Sequence, residues 1–208
     1  MTPKAQRISI LVIAIVMVVG TLGSFAMLIL ANDNAITEQD QLAKQYQEMI
    51  EQQQKEAKIL SDAHYPTFQP FEDRAVAFDT ASVGDTVTTV DLVEGSGEAV
   101  TGDTVYRVYY MGWNPKGKVF DSSLNETGDG LKDPLTHQAD GVWDFGGQTG
   151  GVIEGWTLGI AGMKIGGIRE LTIPSDFAYK DQDRGADIPP NTPLKFIIML
   201  IPAAEVQG

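Results

Sequence analysis

Val152-Ile153-Glu154-Gly155-Trp156-Thr157-Leu158-Gly159-Ile160-Ala161 is the one short helix candidate in a C-terminal half otherwise patterned as strands. Trp156 and Ile160 stand at i and i+4, so from Glu154 onward they stack on one side of a short helix. Around it the apolar period is two. Thr88 to Val93 reads as a first strand, and Glu94-Gly95-Ser96-Gly97 is turn chemistry. Thr104 to Met111 puts Tyr106, Val108 and Tyr110 on one face and Arg107 on the other. Ile168 to Ile173 reads with Leu171 and Ile173 inward and Arg169 outward, while Leu194, Phe196, Ile198 and Leu200 share another inward face. Antiparallel strands with one short helix predict an α+β domain, a sheet wrapped around that helix.

The N-terminal part has a different composition. From Ile8 to Leu30 there is no charged residue, and that length suffices to cross a bilayer as a helix, for which about 20 residues are needed. Lys4 and Arg7 precede the run, and Asp33 and Glu38 follow it. The positive-inside tendency then predicts residues 1–7 in the cytoplasm, 8–30 as a single-pass anchor, and the rest outside at the cell surface. A cleaved signal peptide fits less well, because the small residues (Gly20, Gly23, Ser24, Ala26) lie inside the run rather than after it. A lipoprotein anchor needs a cysteine, and the chain has none.

Residues 31–63 read as a helical stalk, rich in Gln, Glu, Ala and Lys, with Thr37 before Asp40 as a plausible N-cap. The apolar positions are too irregular for a heptad seam. Two readings stand: a solvated stalk, or weak self-association through Leu42, Tyr46 and Met49. Pro66 and Pro70 predict that the helix ends near Tyr65 and that 64–82 is an irregular linker partly packed on the domain. The strand-rich domain then occupies 83–203, with 204–208 as a tail.

Charge and composition exclude several functions. The formal charge is −13, with Lys4 and Arg7 the only charges before Asp33, so the whole acidic excess lies beyond the apolar run. Such a surface disfavours nucleic acid. Without cysteine there are no disulfides and no Cys-ligated metals. His64 and His137 are far apart in irregular sequence and give little support to a His-based metal site. Gly146-Gly147 and Gly150-Gly151 flank Gln148-Thr149 like a phosphate loop, but no Gly-Lys-Ser/Thr follows.

Short motifs recur in order through the C-terminal half: Val119-Phe120-Asp121-Ser122-Ser123, Val152-Ile153-Glu154-Gly155-Trp156, Phe177-Ala178-Tyr179, Ile188-Pro189-Pro190 and Leu194-Lys195-Phe196. Singly each is ordinary core chemistry. Their joint order and spacing resembles the FKBP-type peptidyl-prolyl cis/trans isomerases from about Val83 to Ala203. The resemblance implies the same fold, proline-containing polypeptide clients, and a chemistry that uses no metal, cofactor or nucleophile. It also implies a cup lined by Tyr110, Phe120, Trp143, Val152, Trp156, Ile188 and Phe196, with Trp156 as its floor. Ile153 would offer its backbone N–H to one substrate carbonyl and Tyr179 its hydroxyl to another. Asp121 would hydrogen-bond Tyr110 or orient the substrate amide. The alternative reading is a proline-peptide-binding chaperone or interaction module without turnover.

Three departures from the family pattern accompany this resemblance. The stretch between Ser123 and Trp143 is longer than in minimal members, and Gly128, Gly130 and Pro134 mark it as loop. Lys180 stands where the family usually has glycine. The segment Lys180 to Asp187 carries three acids and two bases, a local charge of −1. An acidic residue before proline is therefore expected to be disfavoured.

Overall fold

The computed structural model describes residues 33–102, 104–138, 142–145 and 148–203, with side-chain surroundings for 41–102, 104–136 and 151–203. The proposed anchor at 8–30 lies outside them, and no helix among the described residues is long and apolar enough to cross a membrane. The chain divides into two compact units, 1–53 and 54–208. In the first, the described residues belong to helix α1 (Asp33–Phe68), on which Leu42, Tyr46 and Met49 are exposed.

The second unit is built on an antiparallel sheet of eight strands: β1 (Thr88–Val93), β2 (Val105–Trp113), β3 (Val119–Ser122), β4 (Leu135–Gln138), β5 (Val142–Phe145), β6 (Gln148–Gly151), β7 (Ile168–Ile173) and β8 (Leu194–Pro202). The order is β1-β7-β8-β2-β4-β5-β6, with β3 also paired to β2. Helix α2 (Glu154–Ile160) packs on one face, as the pattern around Trp156 and Ile160 predicts. Its approach is close because Gly155 and Gly159 face the sheet. A Cβ on Gly155 would stand 2.3 Å from an Ile173 methyl, and one on Gly159 would stand 2.7 Å from Leu171.

Strands β2 and β8 are buried on both faces, which accounts for their near-continuous apolar runs. Tyr106, Val108, Ile198 and Leu200 point to the α2 side. Tyr109, Met111, Trp113, Ile197 and Met199 point to the other, where Phe68, Phe71 and Phe78 cover them.

The packing expected of 64–82 is this second core, but the segment is more regular than a linker. Helix α1 runs through Pro66 to Phe68, a 3-10 turn spans Gln69–Arg74, and another spans Thr80–Ser82. An interior proline costs a helix about 3 kcal/mol. Full burial of Phe68 returns about 1.5–3 kcal/mol, and further ties add to it. The Tyr65 hydroxyl donates to the Gly128 carbonyl at 2.8 Å, and the Leu131 N–H donates to Ser61 Oγ at 2.8 Å. Tertiary contact overrides the local signal here.

Glu170, buried under the same segment, accepts from Arg74 Nε at 2.7 Å and Lys195 Nζ at 3.0 Å. The stretch after Ser123 also departs from the loop expected: β4 pairs with β2, and β5 and β6 extend the sheet outward.

Candidate active site

On the α2 side of the sheet the chain forms an open cleft of about 280 Å³. Its floor is Trp156, from the first turn of α2, which is 4% exposed. Tyr110 from β2 meets the indole edge-on at 5.2 Å between ring centres, and Phe196 from β8 does so at 5.3 Å. Phe120 from β3 meets Phe196 edge-on at 5.6 Å. Such T-shaped contacts set positive ring edges on negative faces and hold the walls at fixed angles.

Gly112 makes this closeness achievable. It lies opposite both Phe196 and Asp121 in the sheet, and a Cβ there would stand 2.4 Å from Phe196 and 2.8 Å from Phe120.

The polar groups are few. Tyr110 donates its hydroxyl to Asp121 Oδ2 at 2.6 Å. Burial pushes the Tyr110 phenol far above its ordinary range, and the hydrogen bond and charge of Asp121 push the same way. Tyr179 is raised too, by burial first, with the Arg184 charge opposing and Asp121 adding. Both phenols therefore stay protonated donors at neutral pH. Ile153 carries the last carbonyl before α2 and accepts from the Trp156 N–H at 2.9 Å, while its own N–H makes no hydrogen bond to another described residue. Val152, Leu135 and Gly151 complete the apolar side of the cleft.

A family model for FKBP-type peptidyl-prolyl cis-trans isomerase matches residues 95–201. The chain belongs to this family.

An FK506-binding protein of Neisseria meningitidis serogroup A is 43% identical over 116 residues, which cover 55% of this chain and 94% of that one. FK506-binding protein 4 of Dictyostelium discoideum is 39% identical over 115 residues, 55% of this chain but 28% of that longer protein. A crystal structure of a peptidyl-prolyl cis-trans isomerase from Pseudomonas syringae is 30% identical, covers 67% of this chain and 92% of that one, and superposes with a TM-score of 0.44. The protein is an FKBP-type isomerase, and its substrates are proline-containing polypeptides.

Most of the residues expected in the isomerase site come together. Tyr110, Phe120, Asp121, Val152, Ile153, Trp156, Tyr179 and Phe196 all line the cleft. Ile188 does not. It is buried in the core cluster that also holds Trp156, Leu194 and Phe196. Trp143 falls on β5, opposite His137 and Gly150, and its side chain lies outside the described ones.

Arg169 also differs from its expected outward position. Strict alternation puts it on the same face as Leu171 and Ile173, and the structure uses it there. Its guanidinium donates to the Gly159 carbonyl at 2.8 Å and the Ala161 carbonyl at 3.3 Å, capping α2, while Asp91 holds it by two bonds of 2.6 and 3.1 Å. A cation at a helix C-terminus meets the negative end of the dipole, so Arg169 positions the helix that carries Trp156.

The sequence reading missed Leu135, Gly151 and Arg184 as cleft residues, and Gly112 as the residue against which the Phe120 and Phe196 rings pack. For Gly112 the signal was available, as a lone glycine inside an apolar strand marks close approach of another group.

The glycine missing at 180 has a physical account. Lys180 adopts φ +57, the left-handed region that favours glycine. The turn is kept by Lys180 N–H donating to the Ser175 carbonyl at 2.9 Å and Asn191 N–H to the Lys180 carbonyl at 2.7 Å.

Proposed function

We propose that this isomerase is anchored in a membrane by residues 8–30, with its catalytic domain outside the cytoplasm, where it assists the folding of exported polypeptides. Catalysis rests on one observation: an aromatic cup floored by Trp156 and lined also by Ile153 and Tyr179. An X–Pro bond rotates over a barrier of about 18–20 kcal/mol, because amide resonance must be broken. No proton transfer or covalent intermediate is needed, only tighter binding of the twisted amide than of the planar one.

The twisted bond has less charge separation, so an apolar cup favours it over the planar, hydrated form. Trp156 stacks on the pyrrolidine ring, and the Ile153 N–H and Tyr179 hydroxyl take two client carbonyls. Asp121, already accepting from Tyr110, keeps lone pairs to receive a client N–H. A million-fold acceleration needs about 8 kcal/mol of such discrimination.

Magnetisation exchange between cis and trans X–Pro peptides, with the full-length chain added, tests the activity. Acceleration is expected, and its absence would overturn the catalytic reading. The location rests on the uncharged run after Lys4 and Arg7. Protease added to intact cells is expected to remove the domain. Complete protection, or release of a soluble mature form, would sink the anchor.

A further inference from the structure

A second cavity, of about 320 Å³, adjoins the cup. The two share a wall formed by Gly151, Val152, Ile153, Tyr179 and Arg184. An extended polypeptide with its proline in the cup therefore runs naturally past Ile153 and Tyr179 into this groove. The groove differs in character. Lys180 and Arg184 are its cations, Glu154 is its acid, and Gln182 adds an amide.

The loop from Lys180 to Asp187 has a local charge of −1, but its charges are not equivalent once placed. Asp187 accepts from Lys118 Nζ at 2.7 and 2.8 Å and lines neither cavity. Asp183 accepts from the Gly185 N–H at 2.8 Å, closing its own turn. Asp181 lines neither cavity. Arg184, by contrast, lies with its guanidinium carbon 4.7 Å from the centre of the Tyr179 ring. Its backbone N–H is tied to the Ile188 carbonyl at 3.0 Å, so the stacking begins from a fixed point. Neither Arg184 nor Lys180 forms an ion pair with an acid among the described residues. A guanidinium stacked on a phenol keeps its N–H edge free, and that edge matches a carboxylate with two parallel hydrogen bonds.

We propose that Arg184 and Lys180 form a subsite beside the proline cup that takes a client carboxylate side chain within two residues of the proline. This assignment rests on the isomerase reading and reverses the preference expected from the loop's summed charge. Acidic flanks are favoured, and Arg184 is the specificity-determining residue. Because both cations are solvent-exposed, the preference is modest, about two- to five-fold in kcat/KM. It weakens as salt approaches physiological strength, where the screening length is about 8 Å.

The test compares peptides carrying Glu or Gln at each of the two positions on either side of proline. Exchange spectroscopy on the full-length chain serves best, since no coupling protease is present to respond to peptide charge. The structure requires a Glu/Gln ratio above one at one position or more at low salt. That ratio should collapse at high salt and fall to near one in the Arg184→Gln/Lys180→Gln variant. A ratio of one or less at every position, or one that survives the double substitution, would overturn the subsite. If the double variant turned over neither peptide, Lys180→Gln alone and the wild-type salt series would decide by the same ratio. Turnover of Gln peptides without a Glu preference would fault only the subsite, whereas no turnover of any peptide would remove the isomerase reading and the subsite with it.

Discussion

The two faces of the same sheet do different work. On one, Tyr106, Val108 and Tyr110 of β2 meet α2 and lead to the cleft. On the other, Tyr109, Met111 and Trp113 of the same strand meet Phe68, Phe71 and Phe78. The first face lies within the stretch that matches the family, 95–201, while its opposite is completed by residues before that stretch begins. A family match therefore marks out the chemistry of this chain more narrowly than its folding unit.

The largest test of this contrast pairs one truncation on each face. Phe68→Ala and Trp156→Ala each empty a buried aromatic site and should each cost about 3–5 kcal/mol in urea unfolding. The isomerisation rate of the folded protein should collapse for Trp156→Ala and stay near wild type for Phe68→Ala. Equal losses of rate would show that the two faces are coupled. Asp121→Ala comes next, expected to lower kcat/KM about ten-fold (roughly 1.4 kcal/mol) with a smaller change in stability. An unchanged rate would remove Asp121 from the site.

A smaller effect, of opposite sign, is expected at Lys180. Glycine there relieves a left-handed residue and should raise stability by about 1 kcal/mol, readable as a higher urea midpoint. A loss of stability would mean that the lysine side chain contributes more than the backbone costs.

The smallest effect separates the faces by pH. His64, in α1 against Tyr109, is held below its ordinary value of 6.5 by burial. Its folded pKa is depressed, so its contribution is present above about pH 6.5 and is lost as pH falls toward the folded value. Stability should decline modestly between pH 7 and 5, and His64→Gln should remove that part of the slope. The rate, by contrast, should be flat from pH 7 to 9, because Tyr110 and Tyr179 are both raised and keep their protons. A falling rate in that interval would show that one phenol ionises earlier than its surroundings imply.

Much of the cleft face was legible in the sequence. The strands Thr88–Val93 and Ile168–Ile173 begin and end where the alternation predicts, and the helix at Glu154 lies where Trp156 and Ile160 place it. Cup residues could be found because aromatics in a fixed register mark the family. The opposite face was legible only in part: the two prolines of its covering segment led to an irregular linker partly packed on the domain, although Tyr65, Phe68, Phe71 and Phe78 complete a core there. Four aromatics so close together need burial, and the unbroken apolar run from Phe196 to Ile201 already required a partner on both sides.

The outer strands carry a consequence for how this family member can diverge. Strand β6 ends at Gly151 and passes directly into Val152 and Ile153, so the pairing of β4, β5 and β6 sets where the Ile153 N–H stands. A strand slipped by one residue turns every side chain to the other face, whereas a slip of two restores the pattern. Descendants of this chain should therefore gain or lose residues within β4 to β6 in pairs, with odd changes confined to the connections between strands. The spacing of insertions and deletions across close relatives would then record the cleft's geometry as a parity.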